Sequence, residues 1–418
     1  MTKEPAVIEV ADELAAETVF RKRVRRFLEN NLGPNNSNLD ILDVASSDET
    51  SAVTRAKQFQ KAKYDAGLAG LTWPIEFGGA GLSNRCQTIY NDESSKYVTP
   101  DFIFTIGFGM CLPTVLAHGT DELKSRYVPA GLSGSEIWCQ LFSEPSAGSD
   151  VAGLQTRAIR DGDEWIVSGQ KVWTTQAHHC SYGIVLVRTN PDVSKHRGLS
   201  MFIVDMHSPG VTVRPLKQMN GGSNFNEVFF DDVRIPADQI LGEPGDGWRV
   251  ALTTLMNERV AIGTGRSGED TDPLAHVKFH LDLAKQRGLR QDPLVRQEIV
   301  DLFIRYRIMD VLGLRIRATV TSGGIPGPEG SVAKLSGSLL ARRSSDVAAR
   351  LAGPTAIAWS DKGSLGERAS QMVLTSPAGG IAGGTNEVMK NILGERVLGL
   401  PREPSVDRDM PFNQIPKG

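Results

Sequence analysis

Residues Ser143–Thr175, SEPSAGSDVAGLQTRAIRDGDEWIVSGQKVWTT, decide how this chain is read. The stretch opens on SEPSAGSD (Ser143–Asp150), a loop dense in small residues and hydroxyls, and ends on Trp173, Thr174 and Thr175. Small residues let a loop's backbone approach a ligand closely, and its N–H groups can hold phosphate oxygens. Trp173 adds a flat apolar surface, while Ser143, Ser149 and Thr175 add directional hydrogen bonds. Two readings fit these residues. One is the wall of a site for a large, planar, phosphate-bearing cofactor such as a flavin dinucleotide. The other is an ordinary Gly/Ser turn before a β-hairpin, with Ser168-Gly169 at the hairpin's tip.

Upstream, to about residue 137, apolar residues recur with helical spacing between breaks such as Gly33–Asn36 and Ala45–Asp48. Downstream, Ile184–Val187, Leu199–Val204, Val211–Arg214 and Glu227–Phe230 are short apolar or alternating runs at sandwich-like spacing. Helical spacing returns from Gly247, with Asp246 as N-cap. Ile299, Leu302, Phe303, Tyr306 and Met309 mark one later amphipathic helix and Ser338–Leu351 another, with Ser322–Pro328 as a loop before the second. The expected fold is multi-domain α+β. A helical domain spans 1–137, a β-sandwich or barrel-like domain 138–245, a four-helix-bundle-like domain 246–402 and a tail 403–418.

With 418 residues the chain can bury two or three domain cores. Its 46 basic and 49 acidic residues leave a net charge of −3, which gives no electrostatic footprint for nucleic acid or an anionic membrane. Arg21, Lys22, Arg23, Arg25 and Arg26 cluster, but Phe20, Val24, Phe27 and Leu28 interleave with them, as on the solvated face of an amphipathic helix. Cys86, Cys111, Cys139 and Cys180 show no paired spacing, which suits a reducing cytoplasm. His178-His179-Cys180 hints at a metal; adjacent residues diverge and no second ligand pair follows, so none is expected. The acidic start MTKEPAVIEVADE reads as neither signal nor transit peptide, and no apolar run of membrane-spanning length occurs.

The motifs converge on one resemblance. GLAGLTWPIEFGGAGL (Gly67–Leu82), the Ser143–Asp150 loop, GQKVWTT (Gly169–Thr175), EVFFDDVRIPADQIL (Glu227–Leu241) and GTNE (Gly384–Glu387) occur in the order found in the acyl-CoA dehydrogenase family. The chain resembles that family from about Gly67 to Leu400. The resemblance implies FAD as cofactor. Ser143, where the family usually has Thr, would bond the isoalloxazine edge, and Ser149 would lie near cofactor phosphate and the CoA arm. Trp173 and Thr174 would cover the flavin and Thr175 would reach N5. Thr385, Asn386 and Glu387 would help hold the diphosphate portion. A literal GxGxxG at Gly263–Gly268 follows a helical stretch, not a strand, and is set aside as a dinucleotide fingerprint.

The family's reaction removes a proton α to a thioester carbonyl, which needs a carboxylate in a dry site and donors for the carbonyl oxygen. Most members carry the base as a Glu directly before the C-terminal Gly-Thr, a position held here by Gly383, with Ala382 replacing the preceding aromatic. A minority place the base on the first helix of the last domain. The resemblance to that subgroup implies Glu258, in LMNERV (Leu255–Val260), with Arg259 and Gly384 positioning substrate and the Gly383 backbone N–H as oxyanion donor. Ala382 and Gly383 clear volume, so a bulky, branched, long or cyclic acyl-CoA is expected in lipid β-oxidation. The family's cross-subunit Arg-x-x-Phe reads Arg287-Gly288-Leu289-Arg290, and a second cofactor stretch reads Arg350–Pro354; Arg287 or Arg350 would still meet phosphate. The implied partners are an electron-transfer flavoprotein and further subunits in a homo- or hetero-tetramer built as a dimer of dimers. Alternatives are a non-catalytic half-site subunit and an acyl-CoA oxidase or flavin monooxygenase on the same scaffold.

Overall fold

The computed structural model describes residues 5–32, 49–263, 274–322, 328–358, 361, 363–404, 407 and 409–415. Its first layer is helical: α1 (Pro5–Asn31), α2 (Glu49–Asp65), α3 (Asn84–Ser94), α4 (Leu112–His118) and α5 (Asp121–Ser133). Val24, Phe27 and Leu28 of α1 share one face and are buried against Phe59, Leu68, Leu71 and Tyr90. The basic cluster on α1 does more than face water. Arg21 and Arg25 turn onto α3 and bind Glu93 at 2.6 and 2.7 Å. Burial acts to raise the Glu93 carboxyl, yet Arg25 and Arg21 outweigh it and hold it down to about 2. A carboxylate distant in sequence turned part of that solvated face into a helix–helix clamp.

The middle layer is one eight-stranded sheet: β1 (Trp138–Leu141), β2 (Arg157–Asp161), β3 (Glu164–Thr175), β4 (Tyr182–Arg188), β5 (Leu199–Asp205), β6 (Val211–Leu216), β7 (Phe225–Pro236) and β8 (Ile240–Leu241). The strands run in the order β6-β7-β3-β2-β4-β5-β8, and β1 pairs with β4 in parallel. Ile184 and Leu186 enter one core cluster while Val185 and Val187 enter another. Period-two alternation with apolar residues on both sides is what a sheet buried on both faces requires.

The expected hairpin tip is a correction. Ser168-Gly169 lies inside the long strand β3, where the pairing with β7 shifts register between Val167 and Gly169. A Cβ on Gly169 would stand 2.7 Å from the Thr156 Cα, so glycine is there to let β2 come close. The hairpin instead turns at Gly162, between the paired ends Asp161 and Glu164.

The last layer holds α6 (Gly247–Gly263), α7 (Lys278–Gln286), α8 (Pro293–Thr321), α9 (Glu329–Ala352), α10 (Leu365–Gly379) and α11 (Asn386–Arg396). Helix α9 is the hub, touching α6, α7, α8, α10 and α11. Leu302 of α8, Leu340, Val347 and Leu351 of α9 and Ala369 of α10 make its core. The C-terminal segment returns to the sheet: the Phe412 and Asn413 N–H groups donate to Val193 and Pro191, and the Arg188 guanidinium stacks 3.4 Å from the Phe412 ring centroid. No described helix is long and apolar enough to cross a membrane.

Helix α6 starts directly after Asp246 and is the strut joining the layers. Val250 and Ala251 enter the core shared with the sheet and α4. Thr254 bonds Thr114 at 2.9 Å, and Thr253 bonds His118 Nε2 at 2.8 Å. Gly247 lies so close to β5 that a Cβ would sit 2.5 Å from the Ser200 backbone. Gly247→Ala is therefore expected to cost about 1–3 kcal/mol, because backbone cannot move aside as a side-chain tip can. Gly313→Ala, where the nearest atom to a new Cβ is a flexible arginine tip at 3.6 Å, should be neutral or stabilising in the same thermal melts.

Candidate active site

The Ser143–Asp150 loop is fastened to β3 by a buried ion pair. Lys171 is fully buried, and its ammonium donates to Glu144 Oε1 at 2.8 Å and to the Phe142 carbonyl at 3.0 Å. Glu144 also accepts from the backbone N–H groups of Gln155 (2.6 Å) and Thr156 (2.9 Å). Burial acts to raise the Glu144 carboxyl, but Lys171 and these donors outweigh it and hold it below the ordinary carboxylate range. Burial pushes the Lys171 ammonium down to about 8, with Glu144 opposing. Both carboxylate oxygens are answered and the ammonium has two acceptors, which is how a buried pair is tolerated.

The pair fixes the course of β3 beyond Lys171. The Val172 N–H donates to the Ser143 carbonyl at 2.9 Å, and register with β7 breaks between Lys171 and Thr174. Trp173 takes a left-handed φ of 61° there, and its ring is 60% exposed, edge-on to Phe225. A tryptophan in that conformation is strained and turned outward, which is how a site stores rather than avoids cost. Thr174 points inward instead; its Oγ1 is buried without a partner, and its carbonyl accepts from Asn226 Nδ2 at 2.9 Å. Ser143 and Thr175 are half-buried and Ser149 is exposed. An outward indole beside uncommitted hydroxyls suits the face and edge of a planar heterocycle, so the donor set fits the expected flavin.

The second group of expected residues gathers around α9. Glu258 follows Thr254 by one helical turn on α6 and is half-buried. Lys334 of α9, 4% exposed, lies within electrostatic reach of Glu258 and Glu387. Burial lowers its ammonium, and those two carboxylates oppose that. Asn386 Oδ1 accepts from Ser338 at 2.6 Å and from Lys334 at 3.3 Å, so this side chain faces α9. Thr385 caps α11 by accepting from the Val388 N–H at 3.1 Å, and Glu387 is exposed. Gly383 and Gly384 both have left-handed φ, 68° and 90°. A Cβ on Gly384 would strike Met389 at 2.7 Å.

Other expected positions are engaged elsewhere. Arg287 donates to the Ala352 carbonyl at 3.1 Å and covers the Gly353 turn, while Arg350 pairs with Glu298 at 2.5 Å. The Arg259 side chain and residues 264–268 of the GxGxxG lie outside the described residues. Sequence reasoning missed Lys171 and Lys334, because only the fold reveals that these lysines are buried. It also missed Lys195, which bridges Asp150 (3.0 Å) and Asp407 (3.3 Å) and brings the tail onto the loop.

Family models for the acyl-CoA dehydrogenase N-terminal, middle and C-terminal domains match residues 15–135, 139–233 and 245–398. The chain is 37% identical over 385 residues to acyl-CoA dehydrogenase IpdE1 of Mycobacterium tuberculosis, covering 92% of this chain and 98% of that protein. Among solved structures, the Tcur3481-Tcur3483 steroid ACAD superposes with a TM-score of 0.77 at 26% identity, covering 93% of this chain and 98% of that one. The ChsE4-ChsE5 complex from Mycobacterium tuberculosis gives 0.74 at 27% identity, with 93% and 98% covered.

The ion pair makes a definite stability signature. Because the folded Glu144 carboxyl titrates below its ordinary value of 4.5, its contribution is complete above that pH and is lost as pH falls through the lower folded value. Glu144→Gln should flatten this acid limb in urea titrations between pH 7 and pH 3. Lys171→Met should cost about 3–5 kcal/mol at pH 7 by stranding the carboxylate, and the Glu144→Gln/Lys171→Met pair should lose less than the sum of the two.

Proposed function

Since the chain belongs to the acyl-CoA dehydrogenase family, we propose that it carries out FAD-dependent α,β-dehydrogenation of a bulky, branched, long or cyclic acyl-CoA, with Glu258 as the base. The observation that carries this reading is the pairing of a glycine at the usual base position with a carboxylate on α6. Gly383 offers no proton acceptor, while Glu258 is half-buried on a helix pinned to α4. The cofactor, when bound, supplies the acceptor for the β-hydrogen as hydride at N5. Ser143, Trp173, Thr174 and Thr175 would hold its ring system, and Ser149, Thr385, Asn386 and Glu387 its polar arm.

Glu258 takes the α-proton onto its carboxylate. The Gly383 N–H, which no described residue accepts, is a free donor for the thioester oxygen as charge builds there. Lys334 lies within electrostatic reach of that carboxylate, and Arg259 with Gly384 would position the substrate. A steroid-class acyl group agrees with the name of the Tcur3481-Tcur3483 relative and with the missing side chain at Gly383.

Assembly follows from α8. Ile304, Ile308, Val311 and Leu314 are 45–61% exposed on that helix, and Leu339 of α9 lies near them at 53%. Such a stripe suits burial against a second subunit, in a tetramer of like or unlike chains. One observation favours a half-site role within a heteromer: Arg287 and Arg350 spend their guanidinium groups on internal partners rather than on a cross-subunit site. Electron-transfer flavoprotein is the proposed acceptor.

Glu258→Gln should leave the purified chain yellow and slow flavin bleaching by an acyl-CoA by about 10²–10⁴-fold. Bleaching at the parent rate would remove Glu258 from the role, and a colourless parent chain would favour the half-site reading. Lys334→Met should move the acid limb of flavin reduction to higher pH, since the base loses a nearby cation. An unshifted profile would mean that the two charges do not act on each other during turnover.

A further inference from the structure

His178 and His179 follow β3 in a single tight turn, Ala177–His179, entered through Gln176 at a left-handed φ of 58°. In an extended strand these neighbours would point to opposite faces. The turn instead brings their rings together, with centroids 4.0 Å apart and planes tilted by 51°. Both Nε2 atoms lie 3.1 Å from the same oxygen, Oε1 of Glu49, the first residue of α2. The three potential ligand atoms all fall within 4.8 Å of one another.

The tautomer of His178 is set from behind. Asn226 is fully buried and donates through Nδ2 to the Thr174 carbonyl, which leaves its Oδ1 as the acceptor facing His178 Nδ1 at 2.9 Å. Nδ1 therefore carries the proton, and Nε2 presents a lone pair toward the Glu49 carboxylate. Carboxylate or amide behind a ligating imidazole is the usual outer support of a metal-bound histidine. The N–O separations are also close to the edge of a tetrahedral site with bonds of about 2.0–2.1 Å, roughly 3.3 Å.

We propose that Glu49, His178 and His179 form a three-ligand site for a divalent cation of the zinc class, with a remaining position open to water. Two imidazoles and one carboxylate make a borderline donor set, which selects Zn²⁺, Co²⁺ or Ni²⁺ over Mg²⁺ or Ca²⁺. Cys180 takes no part, since its thiol is buried and turns back to the Gln176 carbonyl. The ion clasps α2 to the end of β3. Through His178 and Asn226 it reaches the backbone of Thr174, next to the outward Trp173, so the clasp stiffens the wall of the proposed flavin site from outside it.

The test uses the full chain after chelator dialysis, titrated with ZnCl2 and, separately, MgCl2 by calorimetry and by thermal melting. One Zn²⁺ per chain is expected, with a rise in Tm that grows with free Zn²⁺ and no response to Mg²⁺. Glu49→Gln and His179→Ala should each weaken Zn²⁺ at least 10-fold, while His207→Ala, an exposed histidine elsewhere, should leave it unchanged. Absence of saturable Zn²⁺ binding overturns the site, leaving a proton-bridged His–Glu cluster. So does binding that survives in both Glu49→Gln and His179→Ala. Neither readout depends on flavin or turnover, so the site can fail while the proposed dehydrogenase activity stands.

Discussion

The Glu144–Lys171 pair is the constraint on which the geometry of the middle domain turns. A fully buried ammonium has few stable positions, and this one is fixed between a carboxylate and the Phe142 carbonyl. That locks the start of the Ser143–Asp150 loop to the last third of β3. With Lys171 committed inward, the strand bulges at the next two residues and throws Trp173 outward, while Thr174 returns to the core. The alternation that a regular strand would impose is thus broken at the point where an aromatic face is turned outward. Lys195 and Arg188 hold the far side of the same loop, the latter through the Ala152 and Leu154 carbonyls. These contacts join loop, strand and tail into one wall.

Helix α6 does the corresponding work for the other half. Its first turns are packed too tightly against β5 and α4 to slide, as Gly247, Thr253 and Thr254 show. A residue one turn further on inherits that precision, which is the requirement for a general base. The helix then meets α9, where Lys334 and Asn386 tie the beginning of α11 to the same place. The carboxylate, the cation and the Gly383-Gly384 turn come from three separate stretches of chain, joined by the packing on α9.

How much of this the sequence discloses depends on whether the signal is local. The switch from helical to alternating periodicity near residue 137, the apolar run at Ile184–Val187 and the return to helix at Gly247 are local, and they read directly. Residue types alone left Trp173–Thr175 open between a ligand wall and an ordinary turn, and they carried no sign of the left-handed φ at Trp173. Ser168-Gly169 misled because a Gly pair member has the same composition in a hairpin turn and in a bulge; only the nearness of Thr156 separates them. The partners of charged residues were the least legible. Glu93 for Arg21 and Arg25, Glu49 for the two histidines, Asp407 for Lys195 and Asn386 for Lys334 all depend on contacts between residues 52 to 212 positions apart. No periodicity carries that information.

The glycine at the family's usual base position is coupled to this arrangement through the backbone. Gly383 and Gly384 are consecutive left-handed residues, a conformation that costs an ordinary L-residue about 1–2 kcal/mol. A glutamate introduced at Gly383 would have to take that strain or unwind the turn that leads into the Thr385 cap of α11. Returning the carboxylate to the loop therefore disturbs the helix that Asn386 anchors to α9. A carboxylate on α6, such as Glu258, meets no such conflict, because its helix is held by residues that have no part in the turn. A carboxylate on α6 and a glycine pair in the turn are thus compatible, whereas a carboxylate on the turn itself is strained.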